Sequence, residues 1–395
     1  MTMVDTGLDA DLIARTRAII PQLAARAEEA AALRHVPEEN IRLMQAAGSL
    51  KIIQAKRNGG YGAGMRTHLE VVASLAEGCG ATAWVAGVTM AHSWLLSHFP
   101  VQAQDDAYAN PDSVVAAVIG PRGMATKTAD GYTLSGFWPF ASGNRNSEWL
   151  LLGGVVKNEA GEVIDEGDFL VPTSAVTQLD DWFVNGLTGT GSSSVKVENL
   201  HIPAHRFCSL PAVVMGQSPG ASAHGADEWN LRCAPVPVLA LALTGSAIGI
   251  ARQALRDFPG LVKGKTIAYT ADDQYSHPLT HIQAGNAAML IHEGELILFH
   301  CARQIDEAAL EGRELSFETR ARMRLDCAQG VRRCLEGVEV LFHASGASGI
   351  RLASPLTRAV ADLRAINQHG LLNLETNQEL YGRILLGLPQ NTPLI

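Results

Sequence analysis

The feature that most constrains this chain is the order of its secondary-structure signals, with helical patterns at both ends and a β-rich segment between them. Apolar residues recur on one helical face over Leu12–Leu33. Over Ser113–Val214, short β-like runs are separated by Gly, Asn, Asp and Pro, as in an antiparallel sheet. Helical periodicity returns over Pro235–Leu388. This order differs from the alternating βαβ pattern of a dinucleotide-binding fold, and it predicts an α+β protein.

The chain is long enough to form more than one core. Its 395 residues exceed the ~250–300 residues at which a single core usually stops growing, so two or three packed units are expected. Shifts in composition predict three domains: an N-terminal α-helical domain (1–111), a middle antiparallel β domain (112–222) and a C-terminal four-helix-bundle domain (223–395). Candidate helices of the last domain lie near 236–258, 279–311, 316–343 and 356–386.

Charge and cysteine content exclude several classes of protein. The chain has 31 Lys plus Arg against 40 Asp plus Glu and no basic run, which argues against nucleic acid as the main partner. Its six cysteines have irregular spacings, which are typical of a reduced cytosolic protein rather than a disulfide framework or zinc site. The N-terminus does not resemble a signal peptide, and no uninterrupted apolar stretch is long enough to span a membrane. We therefore expect a soluble, cytoplasmic protein.

Short motifs of other enzyme classes fail on chemical grounds. The segment Gly216–Gly220 matches G-x-S-x-G, but Pro219 lacks the N–H that the residue after a hydrolase nucleophile must donate to the oxyanion. Neither G-x-G-x-x-G nor a Walker A motif is present. The one Glu-x-x-His, from Glu198 to His201, lies in β-like sequence, whereas a diiron site needs such motifs on helices. No metal is predicted.

Three segments resemble the acyl-CoA dehydrogenase superfamily. Gly131–Gly143 is similar to the family's strand and turn, in which an aromatic residue and a small hydroxyl residue lie against the flavin. Gly186–Pro203 is similar to its loop and strand beside substrate and flavin, and Gly346–Arg364 to part of its last helical domain. The resemblance extends over nearly the whole chain and implies helices, a β-sheet and helices around one flavin.

Two departures separate the chain from the dehydrogenases of this family. A dehydrogenase needs a carboxylate base, and where many members carry Glu before Gly this chain has His369-Gly370, with Glu375 a weaker candidate. Lys263–Thr266 replaces the Arg-x-Gln-Phe-Gly segment that helps hold the dinucleotide flavin. The chain instead resembles the two-component flavin-dependent monooxygenases of this fold, such as the oxygenase component of p-hydroxyphenylacetate 3-hydroxylase and related aromatic and indole hydroxylases.

This resemblance implies roles for three catalytic candidates. In these monooxygenases reduced flavin and O₂ form a C4a-hydroperoxide, which Ser142 would protect from loss of H₂O₂ by a hydrogen bond near flavin N5. His369 would supply or stabilise the proton needed to form it, because imidazole titrates near neutrality. His92 would hydrogen-bond or deprotonate a phenol or N–H of the substrate. The alternatives are a strand-end turn for Ser142 and a satisfied core histidine for His369.

Further contacts with the flavin and the substrate are expected from the same resemblance. Lys265 would pair with a flavin phosphate as a point charge. The residues expected to contact the flavin are Trp138, Phe140, Ala141, Ser142, Thr190, Ser192 and Lys265. The residues expected to contact the substrate are His92, Trp84 and Trp94.

Together these features predict the oxygenase component of a two-component monooxygenase that hydroxylates a phenol- or indole-like substrate. It would use O₂ and FMNH₂, with FADH₂ as the alternative, from a separate NAD(P)H:flavin reductase, because no NAD(P)H-binding motif is visible. Ala116 and Ala117, where some phenol hydroxylases carry a polar residue, favour a less polar ring such as indole. The resemblance also implies a homotetramer. The other functions left open are an acyl-CoA dehydrogenase-like flavin oxidoreductase and a flavin-free scaffold.

Overall fold

A computed structural model describes residues 6–220, 223–225, 227–392 and 394–395, and it has the predicted order of helices, sheet and helices. The helices are α1 Thr6–Ala25, α2 Ala27–Leu33, α3 Glu38–Ala47, α4 Met65–Gly78, α5 Gly80–Leu96, α6 Val101–Ala107, α7 Leu210–Val214, α8 Pro235–Ala242, α9 Gly245–Val262, α10 Pro278–Glu311, α11 Phe317–Ala344, α12 Pro355–Asn367 and α13 Leu374–Leu385. The strands are β1 Val115–Lys127, β2 Gly131–Trp138, β3 Trp149–Lys157, β4 Val163–Pro172, β5 Thr177–Gln178, β6 Val195–Pro203 and β7 Phe207–Ser209.

The seven strands form one sheet in the order β5-β6-β2-β1-β3-β4-β7. Neighbouring strands are antiparallel, as predicted, except for β1 and β3, which run parallel. The exception arises because β2 returns along one side of β1 and the chain then crosses to the other side before β3 begins. The connection between β2 and β3 therefore lies at the end of the sheet where β1 begins. The Glu148 N–H, which donates to the Val114 carbonyl at 3.1 Å, holds it there.

The sheet has a core of its own, with Trp138 at its centre. The Trp138 side chain has no exposed surface, and its Nε1–H donates to the Gly153 carbonyl at 2.8 Å. Gly123 and Gly136 face each other across β1 and β2, and a Cβ on either would lie 2.5 Å from the indole ring. Trp138 is therefore enclosed by the sheet.

A second and larger core joins the first helices to the last ones, and α5 crosses its middle. Every residue of α5 from Ala81 to Leu96 is buried, so this helix contacts protein on all its faces. The segment Pro235–Val262, which includes α8 and α9, is long and apolar enough to cross a membrane by length and composition alone. Of its apolar window 83% is buried inside the protein, so packing in this core accounts for its composition.

Three predicted helices are each divided in two. The pattern over Leu12–Leu33 is interrupted at Arg26, between α1 and α2. The candidate helix 236–258 is interrupted between α8 and α9, where the Thr244 hydroxyl donates to the Leu241 carbonyl at 2.8 Å. The candidate helix 356–386 is interrupted between α12 and α13, where the Asn373 side chain accepts from the Thr376 N–H and begins a new helix.

The six cysteines are buried and free of disulfide bonds. The predicted domain boundaries at 111/112 and 222/223 stay predictions, and residue 222 lies outside the described residues.

Candidate functional site

The β2–β3 connection forms a tight turn against α5. Phe140 and Gly143 both have left-handed backbones, with φ of 64° and 74°. A Cβ on Gly143 would lie 2.8 Å from Val85 Cγ1 of α5, so glycine allows both the turn and the close approach. The turn therefore places Ser142 over Trp84, whose indole Nε1–H donates to the Ser142 hydroxyl at 3.1 Å.

A second loop, which precedes β6, packs on this turn. The Gly143 N–H donates to the Thr190 carbonyl at 3.1 Å, and the Ala141 N–H donates to the Ser193 carbonyl at 3.3 Å. The second loop is held from the other side by Asp362 of α12, whose Oδ1 accepts from the Leu187 N–H at 2.6 Å. Burial raises the pKa of Asp362 to about 6.

Asn144 joins the two loops through its side-chain amide. Its Nδ2 lies 2.7 Å from the Ala141 carbonyl, 2.9 Å from the Gly191 carbonyl and 3.2 Å from the Ser193 carbonyl. Three carbonyl oxygens around one atom require a donor there, which fixes the orientation of the amide. Asn144 is fully buried, so no water competes for these bonds.

Four side chains from α5 and the two loops form a continuous chain of hydrogen bonds. Ser142 Oγ, which accepts from Trp84, lies 2.7 Å from Ser192 Oγ. Ser192 Oγ lies 2.7 Å from Thr190 Oγ1. The Thr190 hydroxyl donates to the Leu187 carbonyl at 2.8 Å. The structure thus brings together three residues predicted to contact flavin, together with one predicted to contact substrate.

Two histidines complete the cluster. His92 lies eight residues after Trp84 on α5, so both side chains are on one side of that helix. His369 lies in the break between α12 and α13, and its ring centroid is 5.8 Å from that of Trp84. Burial lowers the pKa of His92 to about 4, helped by the nearby His369 imidazole. Burial also lowers the pKa of His369 to about 4, so both rings are neutral at physiological pH.

The two imidazoles are held in opposite tautomers. His92 Nδ1 lies 3.3 Å from the Val115 carbonyl, so Nδ1 carries the proton and Nε2 carries a lone pair. His369 Nδ1 accepts from the Leu371 N–H at 3.3 Å, so the proton is on Nε2. Within the described residues neither Nε2 has a hydrogen-bond partner. The site therefore offers one imidazole acceptor and one imidazole donor to a ligand.

The free groups of the site fit a flavin with a small substrate. Two residues before Ser142, the Phe140 side chain is 69% exposed and provides an apolar surface for a planar ring. Ser142 and the Nε2 atoms of His92 and His369 supply hydrogen bonds beside it. An apolar surface with a few convergent polar groups is typical of a cofactor site.

Three residues predicted to contact flavin or substrate lie outside this cluster. Trp138 is enclosed by the sheet, as described above. Trp94 is only 1% exposed, and its Nε1–H donates to the Asn230 carbonyl at 3.0 Å. The structure makes both tryptophans core residues, because apolar packing encloses them. Lys265 donates to the Ser348 hydroxyl at 2.6 Å, and its contact with a flavin phosphate stays a prediction.

Sequence reasoning gave no role to Asn144 or to Asp362. The partners of the Asn144 amide include carbonyls about 47 residues further along the chain, and no local pattern predicts such a contact. The contact of Asp362 could not be predicted for the same reason, because its partner Leu187 is 175 residues away in sequence.

Comparisons with known proteins find relatives that match nearly the whole chain. The profile described as "Acyl-CoA dehydrogenase, N-terminal domain" matches residues 13–111, and "Acyl-CoA dehydrogenase, C-terminal domain" matches 241–374. The chain is 30% identical to the flavin-dependent monooxygenase, oxygenase subunit HsaA, of Rhodococcus jostii, over 95% of this chain and 98% of that one. It is 29% identical to the oxygenase component of the FADH₂-dependent resorcinol hydroxylase of Rhizobium sp., over 95% and 94%. XiaF from Streptomyces sp., solved with FADH₂ and glycerol, has a TM-score of 0.90 and 26% identity, over 98% of each chain.

The tautomers of the two histidines can be measured in the flavin-free protein. We expect ¹⁵N-histidine NMR to show the proton of His92 on Nδ1 and that of His369 on Nε2, with signals assigned through His92→Gln and His369→Gln. Because burial lowers both pKa values from 6.5 to about 4, both rings should stay neutral from pH 8 to about pH 5.5. Reversed tautomers, or a ring that titrates between about pH 6 and 7, would contradict this assignment.

Proposed function

We propose a reaction on the premise that this chain belongs to the family of flavin-dependent monooxygenases that share the acyl-CoA dehydrogenase fold. It is the oxygenase component of a two-component system that hydroxylates an aromatic or heteroaromatic substrate. Bound reduced flavin supplies the electrons with which one oxygen atom of O₂ enters the substrate and the other leaves as water. The observation that carries the proposal is the pair of neutral, oppositely protonated histidines beside the hydroxyl chain.

The hydrogen-bonding capacity of each residue in the site determines its role in the reaction. His92 Nε2 is an acceptor, and it accepts the O–H of a phenol or the N–H of an indole. His369 Nε2–H is a donor, and it donates toward the oxygen that is being reduced. Both imidazoles are withdrawn from bulk water, which strengthens these bonds. Ser142 takes the position beside the flavin that the sequence resemblance predicts.

A dehydrogenase reaction is not favoured, because the site lacks the carboxylate that it needs. Glu375, the remaining candidate base, has a side chain that is 71% exposed and pairs with Arg332 at 3.6 Å. Among the described residues, no Asp or Glu side chain hydrogen-bonds to Ser142, His92 or His369. Proton abstraction α to a thioester has no base here.

The class of substrate follows from the face of β1 that lies toward α5. Ala117 is on the same face of β1 as Val115, whose carbonyl meets His92. Ala116 points the other way, into the core of the sheet, so of these two residues Ala117 is the one that can contact the substrate. A small apolar side chain near the acceptor Nε2 of His92 suits a ring with one donor group, a phenol or an indole.

The cofactor is a reduced flavin, and we propose that the protein accepts FADH₂ as well as the FMNH₂ predicted from the sequence. The names of the resorcinol hydroxylase and of the XiaF complex both specify FADH₂. The absence of an NAD(P)H-binding motif from the sequence supports a separate reductase as partner. Six buried, unpaired cysteines support a location in the reducing cytoplasm.

We also propose a homotetramer in which α10 packs between subunits. Four apolar side chains with spacings of three and seven residues are 53–68% exposed on this helix: Leu279, Ile282, Met289 and Leu296. The spacing places them on one face of a 34-residue helix, as in a helix-to-helix interface. An exposed apolar stripe of this length is typical of an interaction surface.

The reaction is tested with purified protein, NADH and a general flavin reductase under ¹⁸O₂, over a panel of phenols and indoles. We expect products that carry one ¹⁸O atom, with either FMN or FAD as the supplied flavin. His92→Gln should lower product formation by about 10²-fold or more. Glu375→Gln, which changes an exposed carboxylate, should leave it within about twofold. Reduction of the flavin by an acyl-CoA, lost in Glu375→Gln, would overturn the proposal in favour of a dehydrogenase.

Light scattering after size exclusion tests the assembly. The native protein should have close to four times the 42.0 kDa mass of one chain. The double variant Ile282→Glu/Met289→Glu should dissociate to a dimer or monomer. Each chain gains two charges, so the interfaces between subunits would bury four or more charges without partners. Val163→Glu, which adds a charge at another exposed apolar residue, is the matched control and should keep the native mass. A monomeric native protein would refute the assembly.

A further inference from the structure

The chain of hydroxyls has a direction, because both of its ends are fixed. At one end the Leu187 carbonyl can only accept, so the proton of Thr190 Oγ1 points to it across 2.8 Å. If that proton pointed elsewhere, two oxygen lone pairs would face each other at this distance. At the other end the Trp84 indole N–H can only donate, and it donates to Ser142 Oγ.

The direction propagates through the two serines. The proton of Thr190 Oγ1 already points to the Leu187 carbonyl. In the 2.7 Å hydrogen bond between Ser192 and Thr190, Ser192 must therefore donate and Thr190 must accept. The proton of Ser192 Oγ then points to Thr190. In the 2.7 Å hydrogen bond between Ser142 and Ser192, Ser142 must therefore donate and Ser192 must accept. The Ser142 proton is therefore committed to Ser192, and the Ser142 oxygen keeps only a lone pair for a ligand.

We propose that Ser192 and Thr190 are positioning residues that turn the Ser142 proton away from the cofactor, so that this site selects reduced over oxidised flavin. The inference rests on the proposed function, in which Ser142 faces flavin N5. Reduced flavin carries N–H at N5 and can donate to the lone pair of Ser142. Oxidised flavin carries a lone pair at N5, which would meet the lone pair of Ser142 without a proton between them.

This selection suits an enzyme that is supplied with flavin by another protein. The reduced form must be captured after it leaves the reductase, and the oxidised form must be released after each turnover. Ser192 and Thr190, assigned to flavin contact from the sequence, are both buried and act through Ser142. Ser142 is half-buried, and it is the one residue of this chain of hydroxyls that contacts the flavin.

Ser192→Ala tests the proposal through flavin affinity, without any turnover. In this variant the Ser142 proton loses its acceptor and can rotate to donate to the N5 lone pair of oxidised flavin. We expect the dissociation constant of oxidised flavin, measured by fluorescence titration, to fall about tenfold. The dissociation constant of reduced flavin, measured anaerobically, should change less than about threefold. Ser135→Ala, at a half-buried serine of β2 that is bonded to Asn199, is the matched control.

Thr190 gives an independent test that does not depend on how well Ser192→Ala folds. Thr190→Val removes the acceptor of the Ser192 proton and should lower the ratio of oxidised to reduced dissociation constants in the same direction. Thr190→Ser keeps the hydroxyl and should restore the native ratio, an outcome that a purely structural role of the side-chain methyl group would not give.

The outcomes separate this inference from the function on which it rests. If the native protein binds reduced flavin tightly and the ratio is unchanged in Ser192→Ala and Thr190→Val, the direction of the hydroxyl chain has no role and the inference is overturned. If the native protein binds neither form of flavin, the proposed function itself fails. A lowered ratio in both variants, with the native ratio in Thr190→Ser and Ser135→Ala, supports the inference.

Discussion

The side-chain amide of Asn144 is the interaction on which the site depends. It donates to carbonyls of two loops, at Ala141 on one side and at Gly191 and Ser193 on the other. These loops belong to a connection that crosses the end of the sheet and to a segment about 45 residues later in the chain. Loss of the amide would leave the Gly191 carbonyl without the donor that it has in this structure, and a buried carbonyl left unpaired costs about 1–3 kcal/mol. The position of Ser142 follows from this link.

Other residues of the site lie on α5, a helix that is buried on all its faces. Because α5 runs between the sheet and the C-terminal helices, it brings Trp84 to the turn at Ser142 and His92 to the beginning of β1. The C-terminal helices contribute His369 only because α12 ends before it and α13 begins after it. An unbroken helix would continue the hydrogen-bonded ladder through this residue, and its Nδ1 would lose the Leu371 N–H that sets its tautomer.

The order of elements, the antiparallel neighbours and the grouping of Ser142, Thr190, Ser192 and the histidines could be predicted from local pattern and family resemblance. The parallel pairing of β1 and β3 could not, because it depends on which side of β1 the chain crosses. Trp138 was assigned to the flavin because it lies in the Gly131–Gly143 segment, which resembles the family's strand and turn beside the flavin. Its alternation along β2 instead turns it into the core of the sheet. Asn144 escaped prediction because its partners are close only in the folded chain.

The most direct test of this account is amide hydrogen exchange in Asn144→Ala, read by mass spectrometry over peptides from 139–148 and 187–194. The N–H groups of Ala141 and Gly143 bond across the two loops, so loss of the shared amide should speed exchange in both segments by roughly tenfold or more. Peptides from α10 should exchange as in the native protein. Native exchange rates in both loops of the variant would contradict the claim that Asn144 holds the site together.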